Sequence, residues 1–224
     1  MNIDKIEYLG LDRVMRRGSA EVIVDEDDTL FIKDQVSGAY MLACNNKEDG
    51  LGLLDLYGGK DFDLLMVSDE ALGQEVFKRY NFSEKIDCYQ VAYYGEKPSP
   101  DERISVRIAD EHDLPMLIEN YRMISPEELE KVVTRKSILL GYSKNQLVGF
   151  IGEHLEGSMG ILYVFPKYRH KGFGSALQTH LIAKTMEEGY VPFGQVEKEN
   201  YASLCLQKKL GMSRSEKMIA WMWR

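Results

Sequence analysis

VFPKYRHKGFGSAL, residues 164–177, joins an apolar run to an amphipathic one through a proline, two glycines and four residues that can carry positive charge. A strand running into Pro166 stops pairing there, because proline has no backbone N–H. Gly172 and Gly174 then permit torsions closed to other residues and let the main chain approach another object where a helix begins. The first turn of a helix leaves backbone N–H groups unpaired at the positive end of its dipole, which favours an anion. Lys167, Arg169, His170 and Lys171 add mobile positive charge at the same point. The stretch predicts a strand-to-helix corner shaped for a pyrophosphate.

The rest of the chain makes that basic corner informative. Its 224 residues carry 36 acidic and 28 basic side chains, a formal charge of −8. A general nucleic-acid binder would need a basic face, so any anion site must be local. A hydrophobic content of 44% suffices for an ordinary core. No run approaches the roughly 20 consecutive apolar residues of a membrane span, and the first residues lack the pattern of a secretory leader. No membrane partner is expected, and the cytoplasm is the expected compartment. Cys44, Cys88 and Cys205 are odd in number and far apart, so neither a disulfide framework nor a metal site is expected. Each is read as a small buried or half-buried apolar residue.

Along the chain, GEKPSPDER at Gly95–Arg103 reads as a linker between two apolar regions. The division expected is an α/β domain over 1–95, a linker over 96–102 and a second domain over 103–224. In the first half, AEVIV, TLFIK and GAYMLAC read as strands, with DEDD and NNKEDG as turns. A helix over Ser68–Tyr80 and the strand IDCYQVAYY follow. In the second half, ISVRIA reads as a strand and DEHDLPMLIENYRM as a helix. SPEELEKVVTRK starts a helix with Ser125 as cap and Pro126 in the first turn. SILLGYS and QLVGFIGEHLE pair through a turn at Lys144–Asn145, and SMGILYVFP follows a turn at Glu156–Gly157. A helix from about Lys171 to Glu188, the strand YVPFGQVE, a helix over about Asn200–Lys209 and the strand KMIAWMWR close the chain. Meander and crossover together give a mixed α/β sheet. Val76–Tyr94 and Leu206–Arg224 share a basic helix end, the string Ser-Glu-Lys and an aromatic closing strand, which suggests two related halves, the first without the basic corner.

Known phosphate motifs separate the possibilities. The P-loop pattern is absent: GGK at Gly58–Lys60 lacks its first glycine and its hydroxyl residue. A dinucleotide fingerprint needs a third glycine where Leu177 stands. What is present is V-x-P-x-x-R-x-x-G-x-G over Val164–Gly174, followed by Ser175 and Ala176, and then N-x-x-S-x-x-L-x-x-x-L-G-M over Asn200–Met212. With VRIADEHDLPMLI before them, these motifs resemble the GNAT superfamily of acyl-CoA-dependent N-acyltransferases over most of residues 103–224. The last motif, beside an N-terminal half of similar size, resembles the glycine N-acyltransferase-like branch. The resemblance implies a GNAT-like central mixed sheet flanked by helices in the second half, and a smaller, degenerate GNAT-like α/β first half.

It also implies roles. Main-chain N–H groups of Arg169, His170, Lys171, Gly172, Phe173, Gly174 and Ser175 would hold the pyrophosphate of acetyl-CoA, the acyl donor, with no metal involved. Main-chain groups of Leu162, Tyr163 and Val164 would meet the pantetheine arm, with Asn200 and Ser203 on its other side. Read without the family, Asn200 is simply a helix cap. Transfer in the family is direct attack of an amine on the thioester, and the amine must be neutral although an ordinary lysine-like amine has a pKa of about 10.4. A base is therefore useful. A two-residue turn at Glu156–Gly157 would pair Leu155 with Ser158 and Glu153 with Gly160, placing Glu153 on the face of Leu162 and Val164. Glu153 is the first candidate for the base; His154 and Glu156 exchange with it if the register slips by one, and an exposed strand carboxylate with no role is the plainer reading.

Many family members carry a tyrosine acid seven residues after the asparagine. Here that position is Gln207, which cannot donate as an acid, though a thiol of pKa about 8.5 can leave as thiolate unaided. Tyr201 and Cys205 are expected to pack, and Tyr168 to face solvent. Acetyl transfer to a primary amine, small molecule or peptide, is the leading expectation, with a homodimer open. A non-catalytic acyl-CoA sensor is the alternative. A partner-binding protein would require IAWMWR to be exposed, whereas alternating Ile219, Trp221 and Trp223 suit a buried strand face.

Overall fold

The structure, a computed structural model, describes residues 5–26, 28–58 and 62–224. Asp27 of the acidic turn and Gly59 and Lys60 of the glycine-lysine string lie outside the described residues. After a 3-10 turn at Ile6–Tyr8 come α1 (Leu9–Arg16), β1 (Ala20–Glu26), β2 (Thr29–Asp34), β3 (Tyr40–Cys44) and α2 (Lys47–Leu56). Then follow β4 (Leu64–Val67), α3 (Glu70–Tyr80), β5 (Glu84–Ala92), β6 (Ser105–Ile108), α4 (Leu114–Asn120) and α5 (Pro126–Thr134). The chain closes with β7 (Ile138–Ser143), β8 (Gln146–Gly152), β9 (Tyr163–Val164), α6 (Phe173–Glu187), β10 (Phe193–Glu197), α7 (Tyr201–Lys209) and β11 (Ser213–Trp223). The mixed α/β class read from the sequence is the class observed.

The chain divides into two compact units. One holds Met1–Ala92, Gln195–Cys205 and Ser213–Arg224; the other holds Tyr93–Gly194 and Leu206–Met212. Both are discontinuous in sequence, unlike the contiguous halves that the proline-rich segment suggests. The cause is the closing strand: β11 lies antiparallel between β4 and β5, with Ala220 opposite both Val67 and Asp87.

In the first unit a seven-stranded sheet runs β1-β2-β3-β4-β11-β5-β10. β3 and β4 are its parallel pair, Tyr40 opposite Leu65. Ala220 and Met222 of β11 join a core with Leu42, Leu65 and Val67 on one face. Ile219 and Trp221 join Met41, Met66 and Cys88 on the other. A strand covered on both faces reads as a continuous apolar run, so the alternation of Ile219, Trp221 and Trp223 marks only one of two buried faces. Gly73 lets α3 press onto β11, since a Cβ there would stand 2.4 Å from that of Ala220. NNKEDG is not merely a turn: Asn46 accepts from the N–H groups of Glu48 and Asp49 and so starts α2. Asp69 does the same for α3, which begins later than Ser68.

In the second unit a four-stranded sheet runs β6-β7-β8-β9 with antiparallel neighbours. Lys144 and Asn145, at φ 51° and 62°, form the expected hairpin turn. Ser125 caps α5 by accepting from the Glu128 N–H at 3.1 Å, worth about 1 kcal/mol. α6 seats Leu177 against Gly141 and Gly149, where added Cβ atoms would come within 2.6 and 3.1 Å of its methyl groups. Glycines at both points let the helix settle on the sheet.

Two expectations change around residues 153–165. The turn closes one residue earlier, with the Gly157 N–H donating to His154 O at 2.9 Å. Glu153 therefore faces Met159 rather than Gly160. The expected long strand SMGILYVFP shortens to Tyr163–Val164, because the Leu162 N–H turns back to Gly160 O at 2.8 Å. That irregular stretch absorbs the shifted residue, so Glu153, Leu162 and Val164 still share the face that meets α6.

Candidate functional site

The corner builds up from its backbone. Pro166 opens a 3-10 turn over Pro166–Tyr168, and the chain then passes through left-handed torsions at His170 (φ 59°) and Gly172 (φ 81°). Gly172 is the N-cap of α6 and supplies no capping side chain. The first intrahelical bond runs from the Ala176 N–H to Gly172 O at 3.1 Å. The N–H groups of Phe173, Gly174 and Ser175 precede it, at the positive end of a 15-residue helix. Two left-handed residues beside a bare helix start form a concavity of amides, the usual shape of an anion site.

Gly174 differs from Gly172. Its backbone is helical, and a Cβ would meet only Val164 Cγ2 at 3.7 Å and Leu162 Cδ2 at 4.0 Å, ordinary contacts. Within the protein, then, nothing requires glycine at 174.

The cationic residues are placed by specific contacts. Arg169 donates through Nε to Val164 O at 3.0 Å and lies over the Tyr163 ring at 5.7 Å. Lys171 Nζ donates to Lys167 O at 2.9 Å, and both ammonium groups sit over the Tyr168 ring, at 4.8 Å for Lys167 and 5.7 Å for Lys171. Tyr168 is half-buried, donates to Gln146 Oε1 at 2.5 Å and meets Phe173 edge-on. It braces the corner instead of facing solvent. Arg103, hidden within what reads as linker, is ion-paired with Asp101 through Nε at 2.9 Å, donates through Nη1 to Lys171 O at 3.4 Å and stands 2.7 Å from where a Gly172 Cβ would be. A charge-rich string at a domain boundary gave no sign that Arg103 reaches the corner.

Upstream, β9 is the edge strand of its sheet, which leaves one side of its main chain without a partner strand. Of the three residues expected to meet a pantetheine arm, Leu162 has its N–H on Gly160 O, Val164 has its carbonyl on Arg169, and Tyr163 stacks on Phe150 at 5.4 Å. Met159, ahead of β9, makes an isolated parallel bridge to Gly194.

Around Gly160 stands a polar group from three elements. Tyr121, at the end of α4, donates to Gly160 O at 3.2 Å. The His154 ring packs against Gly160, whose Cβ would lie 2.5 Å from Nε2. Its Nδ1 is 3.9 Å from Glu128 Oε1 on α5. Burial works against charge on His154, but the Glu128 and Glu156 carboxylates outweigh it and raise the pKa. Burial, helped by Glu128, pushes the Tyr121 phenol up to about 12, so it stays a donor. Glu153 is enclosed: 5% exposed, it accepts from Thr185 Oγ1 on α6 at 2.8 Å. Glu156, also buried, accepts from Ser158 Oγ.

Asn200 and Ser203 lie in the first unit. Asn200 Oδ1 accepts from the Ser203 N–H at 3.1 Å, the plain cap that its position predicts. Gln207 is 7% exposed and exchanges amide hydrogen bonds with Gln178. Tyr201, 67% exposed, donates to Glu199, and Cys205 is exposed as well, so neither packs as expected. Cys44 and Cys88 are buried. Among the described residues no cluster of His, Cys, Asp or Glu is arranged to hold a metal, and no helix is long and apolar enough to cross a membrane.

Residues 138–222 match the family model described as FR47-like protein. No curated protein matches the chain. Among solved structures, a protein from Drosophila covers 99% of this chain and 91% of its own at 13% identity, with a TM-score of 0.68. A GCN5-related N-acetyltransferase-like protein from Streptococcus suis covers 96% and 92% at 17% identity, TM-score 0.58. An acetyltransferase of the GNAT family from Colwellia psychrerythraea covers 99% and 98% at 14% identity, TM-score 0.55. The fold is that of the GNAT structures over essentially the whole chain, and the FR47-like match covers residues 138–222, which include the corner.

Proposed function

We propose that this chain is an acyl-CoA-dependent N-acyltransferase of the GNAT superfamily, transferring an acetyl group to a primary amine. The observation that carries the reading is the corner: a helix start with no capping side chain, two left-handed residues ahead of it, and Lys167, Arg169, His170, Lys171 and Arg103 around it. Such a site fits a diphosphate in shape and charge. Assignment to the glycine N-acyltransferase-like branch rests on the Asn200–Met212 motif and an N-terminal half of similar size.

A bound acyl-CoA would supply the thioester. The N–H groups of Phe173, Gly174 and Ser175 hold the diphosphate, with Arg169 and Lys171 neutralising it and His170 beside it, and the open edge at Tyr163 receives the arm. Asn200 and Ser203 keep the role that the resemblance gives them. As the amine nitrogen attacks the carbonyl carbon, the C–N bond forms, the C–S bond breaks and the thiolate leaves. The amine proton needs an acceptor. Glu153, the first candidate by sequence, is enclosed and bonded to Thr185; His154 is half-open and backed by Glu128. We assign the proton to His154, with Glu153 holding β8 to α6. Comparing His154→Gln with Glu153→Gln separates the two.

One observation favours a second reading, acyl-CoA binding without turnover: Gln207, where the family's acid stands, is locked to Gln178. Thiol release from acetyl-CoA with a panel of primary amines decides between them. Amine-dependent release is expected; coenzyme A binding with no release across the panel would favour the sensor, and absence of binding would overturn both.

A further inference from the structure

The first unit contains a cleft of about 300 Å³ that the acyl-transfer reading does not use. It lies beyond the carboxyl ends of β3 and β4, the parallel pair, where Cys44, Asn45, Ser68 and Asp69 line it. Open α/β sheets bind their ligands in that position. The cleft is also the topological counterpart of the basic corner, since β3-α2-β4-α3 repeats the order β9-α6-β10-α7.

Its chemistry is different. Both helix starts are already capped, α2 by Asn46 and α3 by Asp69, and Glu48, Asp49 and Glu70 follow them. A diphosphate would find its amides taken and carboxylates beside it. Instead the cleft alternates charges: Lys5, Lys47 and Lys217 against Glu7, Asp69 and Glu216. Asp69 Oδ2 lies 3.4 Å from Lys217 Nζ. β11 loses its regular pairing between Arg214 and Met218, and this bulge carries Glu216 and Lys217 into the lining; bulges often re-aim side chains at sites. Burial pushes the Cys44 thiol up to about 11 and, aided by Glu7, raises the Tyr8 phenol, so both remain neutral. The lining thus has three positive and three negative groups over a neutral floor.

A charge-balanced lining favours a guest carrying both signs over a plain anion or cation, and the volume sits at the small end of ligand pockets. We propose that this cleft binds a free α-amino acid as its zwitterion, carboxylate toward the lysines and ammonium toward Asp69, Glu216 and Glu7. The proposal is independent of acyl transfer. The test is calorimetry on the full chain with the common free amino acids at millimolar concentration, beside the N-acetyl and amide derivatives of any that bind and inorganic pyrophosphate. The expected result is saturable binding of at least one free amino acid, lost in both blocked forms, and weakened about tenfold, or about 1.4 kcal/mol, by Lys47→Glu and by Lys217→Glu. Acetyl-CoA binding and melting temperature should be unchanged in those variants, which separates the cleft from the corner and from misfolding. No amino acid bound, equal binding of blocked forms or pyrophosphate, or full binding by both variants would each overturn it.

Discussion

His154 and Glu153 are neighbours in sequence with different surroundings, and under the proposed assignment that difference sets the pH behaviour. An imidazole must be neutral to take a proton. The Glu128 and Glu156 carboxylates raise the His154 pKa above the ordinary value of about 6.5 despite burial. Acyl transfer should therefore be slow at low pH and climb as pH rises through that raised value. Glu128→Gln should move this limb to lower pH, and His154→Gln should abolish it; a profile unmoved by either variant removes His154 from the mechanism. The same shift acts on stability with the opposite sign. Because the folded ring holds its proton more tightly than the unfolded one, its contribution is full below the unfolded value and lost as pH rises through the folded one. Of these details the sequence offers Glu153, His154 and Glu156 as candidates for a base. It does not separate them, since a one-residue change of register exchanges partners, and their different surroundings follow from the turn at His154–Gly157.

At the scale of elements, the corner is legible because its residues are diagnostic in themselves: Pro166 ends pairing, Gly172 takes a left-handed torsion, and α6 follows. The brevity of β9 is not, since the Leu162–Gly160 turn involves no residue with a strong local preference. Nor is the start of α2, where NNKEDG suits a turn and a capped helix equally. The seat of α6 gives a sharp test. A Cβ at Gly149 would lie 2.3 Å from the Tyr163 carbonyl oxygen, main chain that cannot swing aside. Gly149→Ala should cost about 1–3 kcal/mol in urea unfolding and displace β9 with the corner it carries. A stability within about 0.5 kcal/mol of the parent, the range of harmless surface changes, would contradict that packing.

Across the whole molecule, the echo between Val76–Tyr94 and Leu206–Arg224 has a structural sense that composition alone could not supply. Both are helix-turn-strand units, and their strands β5 and β11 pair with each other. A sequence read in order places β11 with the segment before it, whereas long-range pairing sets it beside β4. A fragment of residues 1–95 lacks Ile219, Ala220, Trp221 and Met222, which complete both cores of the first unit. It should show no cooperative thermal transition, while the full chain does; a fragment melting cooperatively by itself would contradict the sheet order. The central claim, that the bare start of α6 receives the diphosphate of an acyl-CoA, is tested most directly by calorimetric titration of acetyl-CoA into the parent protein and Gly174→Asp. The new side chain has room to fit, so the fold and melting temperature should persist, while its charge at the amides should weaken binding at least tenfold, about 1.4 kcal/mol. Equal affinity in the two proteins would contradict the account.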